Sequence, residues 1–324
     1  MTLEVRCVTI LFSVKLSQKD QQRLKENYPD QVLNFYKNMK EAKQYIQEAE
    51  ILVTYGADLT SELIEQADHL KWIMVLSAGI DKLPLKAIQK KDILITNARG
   101  IHKKPMAEYA ISMLLQVYRQ EKLLMQMETN KEWTRRSIRI QEISGKTMVI
   151  AGTGSIGQEV ARLSKAFFMK TYGVSKSGRP TDFFDKTFTT DEMDRILPEA
   201  DFLVSVLPST DETKGLLTFD HFKLMPEHAV FLNMGRGDLV TSEDILKAVQ
   251  DEEIAHVILD VFEEEPLPAD HPIWAEENIT VTPHISGVSN HYLSRALEIF
   301  EKNLSAYLDN SKEFLNTVDI SKGY

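Results

Sequence analysis

The stretch Thr147-Met148-Val149-Ile150-Ala151-Gly152-Thr153-Gly154-Ser155-Ile156-Gly157 decides the fold. A short apolar run of strand composition meets three glycines spaced G-x-G-x-x-G. A helical pattern follows at once, with Ile156, Val160, Leu163 and Phe167 on one face. The glycine spacing alone is a weak signal. Strand before and helix after make it a dinucleotide fingerprint, where an ordinary glycine-rich turn would be the plain alternative. In that reading Gly152 permits a tight turn, Gly154 lets backbone approach a pyrophosphate, and Gly157 lets the helix pack closely on its strand. The amides at the helix start, beginning with Ser155 and Ile156, then face phosphate oxygens, where the helix dipole favours negative charge.

Downstream, Lys170 to Val174 reads as the second strand of the same unit and runs into Ser175-Lys176-Ser177-Gly178-Arg179. An NAD-selective fold places Asp or Glu there, on the ribose hydroxyls, about 20 residues after the fingerprint begins. This chain has a hydroxyl, a lysine and an arginine instead. A 2′-phosphate is repelled by a carboxylate and attracted by such a cluster, so NADP(H) is the preferred cofactor, with NAD(H) possible. The alternative is that Lys176 and Arg179 are exposed loop charges without a ligand.

Further outward, short apolar runs alternate with helical segments. Upstream lie Thr9-Ile10-Leu11-Phe12, Val32-Leu33-Phe35, Ile51 to Gly56, Trp72 to Leu76 and Ile93 to Thr96 as strands. Helices open at Ser17, which sits at a cap position, and run over Glu41 to Ala49 and Ser61 to Ala67. A long helix spans Pro105 to Met127, with Met106, Tyr109, Ala110, Met113, Leu114 and Val117 at helical spacing; its methionines read as core packing or a subunit contact. Strands at Phe202 to Leu207, Ala229 to Asn233, His256 to Val261 and Ile279 to Thr282 follow, and a helix from about Asn290 to Leu308 closes the pattern. Strand alternating with helix specifies an α/β protein with mainly parallel sheets covered on both faces. Ligands of such sheets bind beyond the carboxyl ends of the strands.

Three successive strand ends carry candidate chemistry: Arg236 between two glycines, then Asp260 with Glu265, then His284. Taken singly each is ambiguous, since Arg236 fits a solvated turn, Glu265 is one of three adjacent acids and His284 is one of eight histidines. Their shared position at strand ends is the stronger argument. Two earlier strand-end loops, Ser77-Ala78-Gly79-Ile80-Asp81 and Asn97-Ala98-Arg99-Gly100, belong to the same class of position. Trp133-Thr134-Arg135-Arg136, in the connection before the glycine-rich strand, receives no role.

The 324 residues suggest about two domains, and 43% hydrophobic with 27% charged residues is the composition of a globular protein with ample core. A net charge of −10 argues against non-specific binding to nucleic acid or to an anionic membrane. Cys7 is the only cysteine, so no intrachain disulfide can form and a reducing, cytoplasmic setting is expected. Its place in an apolar run reads as that of a small buried hydrophobe. Met1-Thr2-Leu3-Glu4-Val5-Arg6 does not read as a signal peptide, and no apolar run approaches the roughly 18 residues that span a bilayer.

Taken together, Ser77 to Asp81, the G-x-G-x-x-G segment, Asn233-Met234-Gly235-Arg236-Gly237, Leu259-Asp260-Val261-Phe262 through Glu265-Pro266-Leu267-Pro268, and Pro283-His284-Ile285-Ser286-Gly287 resemble the D-isomer-specific 2-hydroxyacid dehydrogenase family. The likeness runs over nearly the whole chain. It implies two doubly wound parallel-sheet domains: a flavodoxin-like substrate domain (1–100 and 288–324) split by an inserted Rossmann nucleotide-binding domain (101–287), with the active site in the cleft. It implies reduction of a small 2-oxo acid, of glyoxylate or hydroxypyruvate type, to the D-2-hydroxy acid. Arg236 would bind carboxylate and carbonyl oxygen, His284 would give the proton, and Glu265 would hold the His284 ring. Donors around Leu76, Ser77, Ala78 and Gly79 would serve the substrate carboxylate. Asp260 would lie near the nicotinamide carboxamide, and Leu207 and Pro208 against the cofactor. Homodimers are typical of the family, and no metal is expected. Formate dehydrogenases of this fold carry glutamine in place of Glu265, which argues against formate. Many phosphoglycerate dehydrogenases carry a regulatory extension, for which a chain ending at Tyr324 leaves no room; a phosphoglycerate dehydrogenase-like enzyme and a nucleotide-sensing corepressor-like protein are the alternative readings.

Overall fold

The computed structural model describes residues 6–80, 82–136 and 138–319. Asp81 and the first five residues of the chain lie outside them. The chain divides into two compact units, Met1–Ile101 with Asn290–Tyr324, and His102–Ser289. In the first part of the chain, strands β1 (Thr9–Phe12), β2 (Val32–Phe35), β3 (Ile51–Thr54), β4 (Trp72–Val75) and β5 (Leu94–Asn97) alternate with helices α1 (Gln18–Asn27), α2 (Met39–Ala42), α3 (Ser61–Gln66) and α4 (Leu85–Lys90). The strands are parallel, in the order β2-β1-β3-β4-β5. Every residue of β3 and β4 is buried, as a sheet covered on both faces requires. Ser17 caps α1 by accepting the Asp20 N–H at 3.1 Å.

The second unit opens with α5 (Lys103–Tyr118) and α6 (Glu121–Asn130). Then come β6 (Thr147–Ala151), α7 (Ser155–Ala166), β7 (Lys170–Ser175), β8 (Lys186–Thr189), α8 (Met193–Ile196), β9 (Phe202–Ser205), α9 (Phe219–Lys223), β10 (Val230–Asn233), α10 (Ser242–Gln250), β11 (His256–Leu259) and β12 (Ile279–Val281). This sheet is also parallel, in the order β12-β11-β10-β9-β6-β7-β8. From β6 the chain lays β7 and β8 to one side and then returns to build β9 to β12 on the other. The strand order therefore reverses between β6 and β9, and a doubly wound sheet opens its ligand crevice at such a point. Finally α11 (Tyr292–Leu308) rejoins the first unit. It buries Ala296, Leu297, Phe300 and Leu304 completely, and the Phe300 ring stacks 5.6 Å from Trp72.

Several elements differ from the sequence expectation, each for a physical reason. The single helix expected from Pro105 to Met127 is two, because Gln120 takes a left-handed conformation (φ 54°) and breaks the ladder. The segment after Ala42 winds as a 3₁₀ turn over Lys43–Glu48. Strand β8 and helices α4, α9 and α10 were not expected. Strand β8 is an edge strand with half-exposed residues and lacks the unbroken apolar run of a central one, whereas α10 does carry a helical pattern, with Ile245, Ala248 and Val249 on its buried face behind the Thr241 cap. The buried face of α7 consists of Gly157, Val160, Ala161 and Ser164, while Phe167 sits at its end, 38% exposed. Cys7 is exposed, not buried: the inward positions are Val8 and Ile10, which leaves it on the outer side. Met106 and Met113 do pack in the core of the second unit. Among the described residues no helix is long and apolar enough to cross a membrane.

Candidate active site

The glycine-rich turn forms first at the level of backbone geometry. Gly152 sits at φ 108°, a conformation that side chains resist, and its N–H pairs with Val174 O at 2.8 Å. A Cβ at Gly157 would lie 1.9 Å from Gly152 O, so only glycine lets α7 start this close to β6. A Cβ at Gly154, the cap residue, would meet nothing within 4 Å. No side chain caps α7. Its first amides, from Ser155 onward, are the orphan donors that every helix start leaves, and here they border open space. This arrangement fits the pyrophosphate of a dinucleotide.

At the end of β7, Ser175 Oγ is buried and has no hydrogen-bond partner among the described residues. A buried hydroxyl without a partner is uncommon and is what a ribose hydroxyl or phosphate oxygen would satisfy. Gly178 (φ 59°) turns the chain so that Lys176 and Arg179 both lie on the surface. Lys176 Nζ is ion-paired with Glu212, a residue that the sequence reading had not marked. Ahead of it, Leu207 lies half-buried at the exit of β9, followed by the exposed Pro208.

The three candidate residues Arg236, Glu265 and His284 follow neighbouring strands, β10, β11 and β12. Asn233, buried at the end of β10, binds the turn at both ends: Gly235 N–H donates to its Oδ1 at 3.1 Å and its Nδ2 donates to Arg236 O at 2.9 Å. Arg236 is thus held in extended backbone with its side chain exposed. One guanidinium N–H reaches Gly235 O at 2.8 Å, and the rest of the fork has no partner among the described residues. A Cβ on Gly237 would lie 1.9 Å from the Phe262 carbonyl carbon, so the Arg236 turn packs directly on the segment after β11. That segment carries Glu265. Its Oε1 accepts the Phe262 N–H at 3.1 Å and its Oε2 meets His284 Nδ1 at 2.8 Å. The His284 side chain is 51% exposed. With Nδ1 committed to a carboxylate, Nε2 is the nitrogen left to face a reacting group.

Asp260 is fully buried. Its carboxylate accepts from Thr282 Oγ1 (2.6 Å), Ile285 N–H (2.8 Å) and Ser286 N–H (2.9 Å), and its backbone carbonyl accepts His284 N–H at 2.9 Å. Most of its bonding therefore goes to the segment that carries His284. Tyr109 of α5 completes the cluster, with its hydroxyl 2.7 Å from Thr282 Oγ1. Burial holds the Tyr109 phenol well above its usual pKa, Asp260 adding to the effect while the bond to Thr282 opposes it. Sequence reading missed Tyr109, Thr282 and Glu212. The available signal was a tyrosine on the apolar face of a helix, since a buried phenol needs a hydrogen-bond partner.

In the first unit, the loop after β4 is tied by Ser77 Oγ to Gly79 O (2.9 Å) and by Asn97 Nδ2 to Ala78 O (2.7 Å). The expectation for Leu76 is corrected in one respect: its N–H is already used on Thr54 O at 2.8 Å and the residue is buried. The amides available in this loop are those of Ser77, Ala78 and Gly79.

Comparison with known proteins bears on the chemistry. Residues 111–286 match the model of the D-isomer specific 2-hydroxyacid dehydrogenase NAD binding domain. A glyoxylate reductase of Aeropyrum pernix is 31% identical, over 80% of this chain and 80% of its own. A D-isomer specific 2-hydroxyacid dehydrogenase family protein of Aeromonas salmonicida superposes with a TM-score of 0.81 at 34% identity, over 98% of this chain and all of the other. A probable 2-hydroxyacid dehydrogenase of Rhizobium etli, in complex with NADP, HEPES and L(+)-tartaric acid, gives 0.75 at 26% identity over 99% and 100%.

Proposed function

Because the chain belongs to the D-isomer specific 2-hydroxyacid dehydrogenase family, we propose that it reduces a small 2-oxo acid, of glyoxylate or hydroxypyruvate type, to the D-2-hydroxy acid. The nicotinamide dinucleotide, held over Gly152 to Gly157, supplies the hydride. Arg236 offers the planar fork that suits a carboxylate and its neighbouring carbonyl oxygen. The amides of Ser77, Ala78 and Gly79 add donors for the carboxylate. His284 delivers a proton from Nε2 to the carbonyl oxygen while Glu265 accepts from Nδ1–H and fixes the ring. The observation that carries this reading is the 2.8 Å contact between His284 Nδ1 and Glu265 Oε2, on the strand ends next to Arg236.

Further parts belong to the same proposal. NADP(H) is preferred over NAD(H), supported by the cationic pair Lys176 and Arg179 and the buried Ser175 hydroxyl. Residues 1–100 and 288–324 serve the substrate and 101–287 the nucleotide. The protein acts in the cytoplasm, which its single cysteine supports. It forms a homodimer, supported by the exposed apolar side chains of Trp133 (97%), Phe168 (80%) and Met125 (61%). Light scattering would then give twice the 37.0 kDa of one chain.

The test is NADPH oxidation over a panel of 2-oxo acids, with NADH in parallel. Arg236→Ala and His284→Ala should each lower kcat/KM for glyoxylate by about 10³-fold or more. Wild-type rates in both variants would overturn the assignment.

A further inference from the structure

The loop bearing His284 is held by one buried carboxylate, and that carboxylate is itself oriented from outside the loop. Asp260 Oδ1 takes Ile285 N–H at 2.8 Å and Oδ2 takes Ser286 N–H at 2.9 Å, while Asp260 O takes His284 N–H at 2.9 Å. The two residues after the imidazole therefore follow the Asp260 carboxylate, while the N–H of His284 itself is anchored on the Asp260 backbone carbonyl. His284 itself sits at φ 50°, in the left-handed region that histidine adopts more readily than most side chains.

Two backbone donors, one on each oxygen, hold Asp260 as an acceptor, so the hydrogen of its 2.6 Å contact with Thr282 Oγ1 comes from the threonine. Having given away its one proton, Thr282 can only accept from Tyr109, whose hydroxyl lies 2.7 Å away. The chain of donation runs in one direction: Tyr109 to Thr282 to Asp260. It begins on the half-buried face of α5 and ends on the carboxylate that grips the His284 loop. Resting on the reading of His284 as proton donor, we propose that Tyr109 and Thr282 are positioning residues for that imidazole, coupling helix α5 to the proton-transfer step. Loss of the Thr282 hydroxyl removes one of the two donors to Asp260 Oδ1, and loss of the Tyr109 hydroxyl frees the Thr282 rotor that supplies it; either change lets the imidazole drift from its reacting distance. The loss should show in the chemical step, and nucleotide binding should be spared.

The test compares full-length Tyr109→Phe, Thr282→Val and Thr282→Ser with wild type and His284→Asn, using glyoxylate and NADPH. Tyr109→Phe and Thr282→Val should each lower kcat about tenfold, with KM for glyoxylate and Kd for NADPH within about twofold of wild type. Thr282→Ser keeps the hydroxyl and should recover most of the rate. Should Thr282→Val fail to fold, Tyr109→Phe, which removes a single oxygen and keeps the ring, decides alone. An inactive His284→Asn beside wild-type rates in Tyr109→Phe and Thr282→Val would overturn the positioning role alone. Equal losses in Thr282→Ser and Thr282→Val would do the same. Wild-type turnover in His284→Asn would overturn the proton-donor reading itself.

Discussion

Lys176 carries an ion pair to Glu212, and the pair is solvent-exposed on both sides (80% and 65%). Exposed pairs of this kind contribute little to stability, about 0–1 kcal/mol. Their effect on a third charge is larger, because Glu212 competes with any anion for the same ammonium. A 2′-phosphate approaching Lys176 and Arg179 must displace Glu212 or share the lysine with it. We therefore expect Glu212→Gln to lower KM for NADPH about three- to tenfold and to leave KM for NADH nearly unchanged. Ser175→Asp should act in the opposite sense, placing a carboxylate where the buried hydroxyl now stands and moving the NADPH to NADH ratio of kcat/KM towards NADH. Steady-state kinetics with both nucleotides checks the two expectations. An unchanged ratio in both variants would mean that Lys176 and Arg179 take no part in cofactor choice.

Strand β11 carries chemistry at both ends, and the two ends behave differently. Its carboxyl end delivers Asp260. Its first residue, His256, bonds Thr280 Oγ1 through Nε2 at 2.8 Å and is nearly buried. Burial, with a smaller contribution from the Lys122 charge, pushes the His256 pKa down to about 4. An unfolded histidine titrates near 6.5, so between those values the unfolded chain takes up a proton that the native one refuses. Stability from this group is complete above about pH 6.5 and falls as pH drops towards 4, by about 3 kcal/mol at the bottom of the window. Urea unfolding at pH 7 and pH 4.5 should show the loss, and His256→Gln should flatten it. The same slope in wild type and His256→Gln would remove His256 as its source.

At the scale of the molecule, apolar packing is divided in the same places as the chain. One core lies on either face of the seven-stranded sheet, and both draw only on residues between Met106 and Val281. The two cores of the other sheet draw on residues up to Ile101 and on Tyr292 to Val318. Trp72 shows why the second half of that unit depends on a distant segment: its ring is stacked by Phe300 and Tyr307 of α11. We expect residues 102–289, expressed alone, to fold cooperatively and to bind the dinucleotide, because their buried surface is self-contained. Residues 1–101 alone should fail to fold until 290–324 are supplied. Circular dichroism and dye-binding melts of the two fragments test this, and a 102–289 fragment without a cooperative transition would refute it.

The sequence by itself determined the alternation of strands and helices, the dinucleotide turn and the identity of the candidate reactive residues. Each of these is local: periodicity reports which face is buried, and Gly152 and Gly157 report backbone that admits no side chain. Strand-end positions were legible because parallel sheets present their carboxyl ends together, which places Arg236, Glu265 and His284 in one class from the sequence alone. Only the tertiary structure decided what meets what. That Lys176 is shared with Glu212, that Leu76 has already used its amide, and that Tyr109 reaches Asp260 through Thr282 are contacts between residues 22 to 173 positions apart or between adjacent strands. The partner of a hydrogen bond is set by which segments the core brings within 3 Å, and pattern along the chain holds no record of that distance.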